Sequence, residues 1–114
     1  MPLFVPAGKP REVLTAFDFT QVGAVDFGAL APGESVIGVQ VVIDQVFDDP
    51  STLISLGLVS NPDSILSTAD VDPTTASTYA QQANILIAVA DAFRLKVFPF
   101  ASTQGAGRVV ALVG

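Results

Sequence analysis

The stretch "SVIGVQVVIDQVF", residues 35–47, decides the fold because its apolar side chains alternate along the chain. One predicted face collects the large apolar residues Ile37, Val39, Val41, Ile43 and Phe47. The opposite face mixes the small or polar residues Gly38, Gln40 and Asp44 with Val36, Val42 and Val46. A period of two is typical of a β-strand, and apolar residues on both faces predict a central strand of a β-sandwich.

Similar strand patterns lie on both sides of this stretch. They are "VLTAFDFT" (13–20), "VDFGAL" (25–30), "TLISLGLV" (52–59), "NILIAVA" (84–90), "FRLKVFPF" (93–100) and "RVVALV" (108–113). Turn signals separate them, and the glycine-rich "STQGAG" (102–107) is predicted as a hairpin turn. Seven or eight short strands predict an all-β chain, an antiparallel β-sandwich of jelly-roll type.

The pattern leaves alternatives open in residues 60–92. Residues 60–79 indicate a long polar crossover with two prolines. Residues 75–92 also fit a helix, because they are rich in alanine and glutamine. The apolar stripe of that helix would be Tyr79, Ala83, Leu86 and Ala90. A strand and a helix both remain open here.

The segment "MPLFVPAGKPR" predicts an extended N-terminal arm, residues 1–11, ahead of a sandwich domain, residues 12–114. Proline fixes φ and lacks an amide donor, so the three prolines in this segment disfavour a helix. An arm with an apolar tip is expected to cover its own sheet or to reach another subunit. Its predicted contact residues are Leu3, Phe4, Val5, Lys9 and Arg11.

Half of the residues are apolar, 14% are charged, and the net charge is −6. A chain with so little charge is expected to bury apolar surface against other subunits. The negative charge argues against a nucleic-acid partner, which needs a basic footprint. The apolar runs are too short to span a membrane, and the first residues do not resemble a secretory leader, so no membrane partner is predicted.

The chain has no histidine and no cysteine, which excludes serine–histidine triads, thiol nucleophiles and the familiar zinc sites. The remaining candidates for chemistry are the loop aspartates Asp44, Asp48, Asp49, Asp63, Asp70 and Asp72. Such residues start turns, bind calcium or act as paired catalytic carboxylates. Their spacing does not match an EF-hand, and aspartate before proline favours a turn. No catalytic residue, metal site or cofactor is therefore predicted.

The order of signals from Val36 onward resembles a class of small bacteriophage virion proteins. The matching pieces are "VQVVIDQVFDD", "TLISLGL", "NPDSIL", "STYAQQ" and "LKVFPFASTQGAGRVVALV", between residues 39 and 113. Proteins of this class are jelly-roll-like sandwiches that serve as head-decoration (cement) proteins, head fibres or tail-fibre domains, commonly as trimers. The resemblance implies a structural, non-enzymatic protein at the capsid surface of a virion.

Within that class the resemblance favours a capsid decoration protein, because the chain lacks a fibre stalk or coiled coil. The implied partners are the major capsid protein and sister copies in a homotrimer, with the arm clamping the shell. Removal of residues 1–11 is then expected to leave a folded domain that no longer binds particles. The alternative is a tail or head fibre module whose loops, residues 48–50 and 61–72, contact a host receptor. An acid hydrolase is a third class, which requires two loop carboxylates to meet in space.

Overall fold

A computed structural model describes residues 11–114, which form eight β-strands and no helix. The strands are β1 (Arg11–Asp18), β2 (Gly23–Leu30), β3 (Ser35–Gln45), β4 (Leu53–Leu58), β5 (Asn61–Leu66), β6 (Thr78–Leu86), β7 (Asp91–Phe98) and β8 (Ala106–Val113). The predicted all-β class and strand number are confirmed. The helical alternative for residues 75–92 is wrong, because pairing of β6 along β3 outweighs the helix propensity of its alanines and glutamines.

The strands pair as a ribbon folded on itself: β1 with β8, β2 with β7, β3 with β6 and β4 with β5, all antiparallel. Two further pairings, β3 with β8 and β4 with β7, close the ribbon into two sheets. We call them the β1 sheet (β1-β8-β3-β6) and the β2 sheet (β2-β7-β4-β5). This strand order is that of a jelly roll, as predicted.

The core lies between the two sheets and is almost wholly aliphatic and aromatic. It contains two aromatic pairs: Phe17 stacks on Phe47 with ring centroids 6.3 Å apart, and Phe27 stacks on Phe93, its partner on the neighbouring strand, at 5.3 Å. Every buried side-chain nitrogen or oxygen in residues 11–114 has a hydrogen-bond partner. A continuous apolar core with satisfied polar groups makes the sandwich a stiff platform for its surfaces.

A bulge changes the phase of β3, which the strict alternation in the sequence did not predict. The register with both neighbouring strands shifts between Val36 and Gly38. Val36 therefore points into the core and is fully buried, whereas Ile37 is only half-buried. The predicted grouping of Ile37 with Val39 and Val41, and of Val36 with the opposite face, is therefore wrong, because a bulge shifts the register of the strand between Val36 and Gly38.

Two connections also differ from the prediction. The segment "STQGAG" is not a hairpin turn, because it leads from β7 in one sheet to β8 in the other. Gly105 in this crossing has φ +142° and lies against the Phe47 ring, so a side chain there would collide with the core. The predicted polar crossover contains a strand, β5, whose apolar end Ile65 and Leu66 is buried.

Candidate interaction surface

The outer face of the β1 sheet carries three cross-strand rows of side chains. From β1 to β6 they are Glu12–Leu112–Gly38–Gln82, Leu14–Val110–Gln40–Ala80 and Ala16–Arg108–Val42–Thr78. Only two of these positions, Glu12 and Arg108, carry a charge. Leu14 is 63% exposed and Leu112 is 37% exposed. We call this surface the β1-sheet face.

A shallow groove of about 370 Å³ runs along the β1-sheet face between β3 and β6. Gly38 forms its floor, since the missing side chain leaves the backbone open. Its walls include Val110 and Leu112 on one side and Ala80 and Gln82 on the other. The groove offers apolar side chains together with the backbone of an edge strand.

The outer face of the β2 sheet has a different character, because ion pairs cover its centre. Arg94 Nε lies 2.8 Å from Asp26 Oδ1, and Lys96 Nζ lies 3.4 Å from Asp63 Oδ2. The hydrogen bond from Arg94 holds the pKa of the Asp26 carboxyl below its usual range. Ser55 donates a hydrogen bond to Asp63 on the same surface. The β2 sheet thus has paired charges across the centre of its outer face, whereas the β1-sheet face is charge-poor except at one end, where Arg108 lies 3.7 Å from Asp44.

One corner of the β2 sheet is apolar as well. Phe98 (36% exposed) lies beside Leu53 (41% exposed) across the β4–β7 ladder, and Val22 (77% exposed) precedes the first residue of β2. Phe100, 63% exposed, follows in the turn after β7 and has φ +53°, a strained value for a residue with a side chain. We call these four residues the Phe100 corner.

The strained turn of Phe100 is held by an aspartate of the β3–β4 loop. Asp49 Oδ2 accepts a hydrogen bond of 2.8 Å from the Ala101 backbone, and its Oδ1 accepts one of 2.8 Å from the Ser51 backbone. These backbone donors lower the pKa of the Asp49 carboxyl. The adjacent Asp48 binds the Thr103 backbone at 2.7 Å. The pair "DD" therefore ties two loops together.

The other loop aspartates also bind nearby backbone or hydroxyl groups. Asp72 accepts hydrogen bonds from the Thr74 backbone at 3.0 Å and from the Thr74 hydroxyl, which lower the pKa of its carboxyl. Asp70 accepts one of 2.8 Å from the Ser67 backbone. Asp44 lies 3.7 Å from Arg108. Turn formation, predicted for aspartate before proline, is confirmed at Asp49 and Asp72.

These carboxylates do not converge. Within residues 11–114 no group of three or more aspartates or glutamates is placed to hold a metal ion. The same part of the chain contains no helix long and apolar enough to cross a membrane.

The predicted contact residues of the arm lie at or beyond the start of the described chain. Leu3, Phe4, Val5 and Lys9 are outside the described residues. Arg11 is the first residue of β1, where it pairs with Val113. Its guanidinium binds the Glu34 carboxylate at 3.0 Å and the Ala29 carbonyl at 2.9 Å. A role for these five residues in contacting a capsid or a subunit stays a prediction.

Sequence reasoning missed both the contrast between the two faces and the Phe100 corner. A signal for the corner exists, because Phe98 continues the outward positions of Arg94 and Lys96 and is therefore an apolar residue on a polar face. The difference in charge between the outer faces of the two sheets had no such signal, because it depends on which strands share a sheet.

Comparisons with known proteins find the same fold in two solved capsid structures. No protein-family model and no curated protein matches the chain. A chain in the acidic stable capsid structure of Helicobacter pylori bacteriophage KHP30 is similar, with a TM-score of 0.74 and 16% identity over 91% of this chain and 86% of that one. A chain in the cyanophage Pam1 capsid asymmetric unit has a TM-score of 0.72 and 20% identity over 99% of this chain and 92% of that one. At these identities the likeness shows a shared fold.

Proposed function

We propose that the chain is a structural protein of a bacteriophage virion, located on the capsid surface. Its specific role in this proposal is that of a decoration (cement) protein, which forms homotrimers and binds the major capsid protein. Two chains with the same fold come from phage capsid structures. Because each likeness covers most of both chains, those capsid chains are also small, which supports an accessory role over that of a large shell subunit.

The observation that carries the proposal is the difference between the two outer faces. Apolar surface contributes to association in proportion to the area removed from water, whereas surface ion pairs contribute little. The middle row of the β1-sheet face has no charge to desolvate, and Glu12 and the Arg108–Asp44 pair lie in or beside the outer rows, so burial of the apolar rows against sister copies is favourable. The face of the β2 sheet keeps its ion pairs in solvent. A rigid sandwich of this kind works by binding many equivalent sites, and no catalytic step belongs to the proposal.

A matched pair of substitutions tests the use of the β1-sheet face. Ala16 and Ala24 are exposed alanines on edge strands, and each lies opposite a cation of the neighbouring strand, Arg108 and Lys96 respectively. A16E adds a charge to the β1-sheet face, and A24E adds the same charge to the other face. We expect A16E to weaken self-association at least about tenfold, since desolvating the new carboxylate at a buried interface costs more than about 1.4 kcal/mol even beside Arg108, which already lies near Asp44. Equal association of A16E and A24E in sedimentation measurements would refute the proposal.

The proposal assigns capsid binding to the arm, with Leu3, Phe4 and Val5 as apolar anchors and Lys9 beside them. Arg11 is better retained in a deletion, because it belongs to β1 and pairs with Glu34. A variant lacking residues 1–10 is expected to keep its thermal unfolding transition and to lose binding to empty capsids. Unchanged affinity for capsids would exclude the arm as the clamp.

A tail or head fibre module is the second candidate, and the Phe100 corner favours it. Exposed aromatic side chains on a rigid turn are typical of recognition surfaces. Residues 48–50 are expected from sequence to touch a host receptor, and Asp49 joins them to this corner by its hydrogen bond with the Ala101 backbone. F100S should then abolish adsorption to host cells while leaving capsid binding intact. Loss of capsid binding alone would favour decoration.

A further inference from the structure

Four strand edges are open in residues 11–114: β1 and β6 in one sheet, β2 and β5 in the other. Natural sheets protect such edges with charges, prolines or bulges, because an unprotected edge pairs with another strand. Three of the four are protected. β1 carries charges at both ends, β2 has a bulge at Gly28 next to Asp26, and β5 contains Pro62 and Asp63.

The β6 edge is the exception over residues 78–82, because its register shift against β3 lies beyond Gln82. Its sequence, "TYAQQANIL", holds neither a charge nor a proline over nine residues. The Ile43 amide donates to the Ser77 carbonyl at 2.9 Å, so the odd-numbered residues at this end of β6 point their backbone groups toward β3. The even-numbered Thr78, Ala80 and Gln82 therefore direct their N–H and C=O groups outward, and all three are exposed. The Gln82 carbonyl already accepts a hydrogen bond of 3.2 Å from the Gln81 side chain, which leaves the groups of Thr78 and Ala80 and the Gln82 amide for a new strand. This edge is ready to accept one more strand.

The N-terminal segment has the sequence of a strand that can pair along only one of its edges. Its prolines are Pro2, Pro6 and Pro10, all at even positions. In an extended strand successive N–H groups point to opposite edges, so these three prolines block the same edge. The odd-numbered residues from Leu3 to Lys9 keep their donors on the other edge. Proline on one side allows a single pairing and prevents a second strand from adding.

We propose that residues 3–9 of one copy add as a strand to the free edge of β6 in a neighbouring copy. This inference deepens the proposed self-association and rests on it, and it uses the backbone of the arm, whose side chains the proposed function assigns to the capsid. The chain leaves the described residues at Arg11 in β1, at the opposite edge of the sheet from β6. The apolar wall of the groove, with Ala80 and Gln82, borders the same edge.

The N-terminal segment is too short to cross its own sheet and still pair along β6, so the β6 edge it pairs with belongs to a neighbouring copy. A strand outside β6 lies four strand spacings from β1, about 19 Å at about 4.8 Å each. An extended chain covers at most about 3.5 Å per residue, so crossing its own sheet would use about six of the ten residues. About four would be left, too few to align residues 3–9 with β6. A neighbouring copy imposes no such crossing, and a head-to-tail contact of this type gives a ring when the rotation between copies closes.

The test compares two proline substitutions in the full-length chain, A7P and G8P. A7P removes a donor from the pairing edge, whereas G8P removes one from the edge that prolines already block. We expect A7P to raise the dissociation constant of self-association at least about tenfold, through the loss of one or two strand hydrogen bonds, and G8P to leave it unchanged. Sedimentation over a concentration series measures both. A80P, which removes a donor from the receiving edge without touching the ladder to β3, should act like A7P.

Hydrogen exchange at Ala80 and Gln82 supplies a second measurement on the same proteins. Protection of these amides should rise with protein concentration in the wild type and in G8P, and should be absent in A7P. Equal association of A7P and G8P would overturn the proposal. So would β6 amides that still exchange rapidly with solvent in the associated protein. Protection that does not depend on concentration would also overturn it, by assigning the strand to the same copy.

Binding to capsids separates this inference from the proposed function. If A7P associates normally and also binds particles, strand addition is refuted and the capsid role stands. If the wild-type protein does not bind particles, the capsid role is refuted whatever the proline variants show.

Discussion

Two single threonine substitutions at neighbouring positions of β3, V36T and I37T, test the bulge that determines which β3 side chains lie on each face of the β1 sheet. Val36 is completely buried, whereas Ile37 is half-buried and lines the groove. V36T exchanges a methyl group for a hydroxyl of nearly equal size inside the core. Burying a hydroxyl without a partner costs about 1–3 kcal/mol, and the lost methyl about 0.8 kcal/mol, so we expect V36T to cost about 2–4 kcal/mol. I37T lets its hydroxyl reach water and should cost less than about 1 kcal/mol.

Urea unfolding of both variants beside the wild type measures these costs. A domain of this size is stable by about 5–15 kcal/mol, so both variants should still fold. V36T should lower the melting temperature by roughly 10–15 °C and I37T by at most a few degrees. A larger cost for I37T than for V36T would show that β3 keeps its strict alternation. Ile37 would then face the core, and the geometry of the groove would be wrong.

Three further outcomes follow from other parts of the molecule. G105A should destabilise the domain by about 2 kcal/mol or more, because the residue has φ +142° and a Cβ would meet the Phe47 ring; a melting temperature within a degree of the wild type would contradict that packing. Hydrogen bonds lower the carboxyl pKa of Asp26, Asp49 and Asp72 in the folded state, so their stabilisation is present above about pH 4 and is lost as the pH falls through the folded pKa values. The melting temperature should therefore not depend on these groups between about pH 5 and 8, and it should fall below about pH 4. A melting temperature that already falls near neutral pH would refute the assignment. Chelation of divalent cations should leave the melting temperature unchanged, and a downward shift would restore the calcium hypothesis for the loop aspartates.

The strands could be predicted because their period of two is imposed by burial on one or both faces. The phase of β3 could not, since the bulge at Val36 depends on pairing with β6 and β8 on either side. β5 was missed for a related reason. Its first residues, Asn61 to Ser64, have turn-forming side chains, and their extended conformation comes from pairing with β4.

The candidate surfaces were less accessible to sequence reasoning than the fold. Ala16 and Ala24 occupy similar positions in two alternating strands, yet one lies on the charge-poor face and the other beside the ion pairs. Only the assignment of strands to sheets separates them. The aspartates were predictable at Asp49 and Asp72, where a following proline favours the turn, because that chemistry is local.

The number of copies of this chain in purified phage particles tests the proposed role most directly. Quantitative mass spectrometry against the major capsid protein gives this number. A decoration protein repeats at equivalent sites over the shell, so the account expects hundreds of copies in a fixed ratio to the capsid protein. A dozen copies or fewer would indicate a tail or fibre device and would contradict the decoration role.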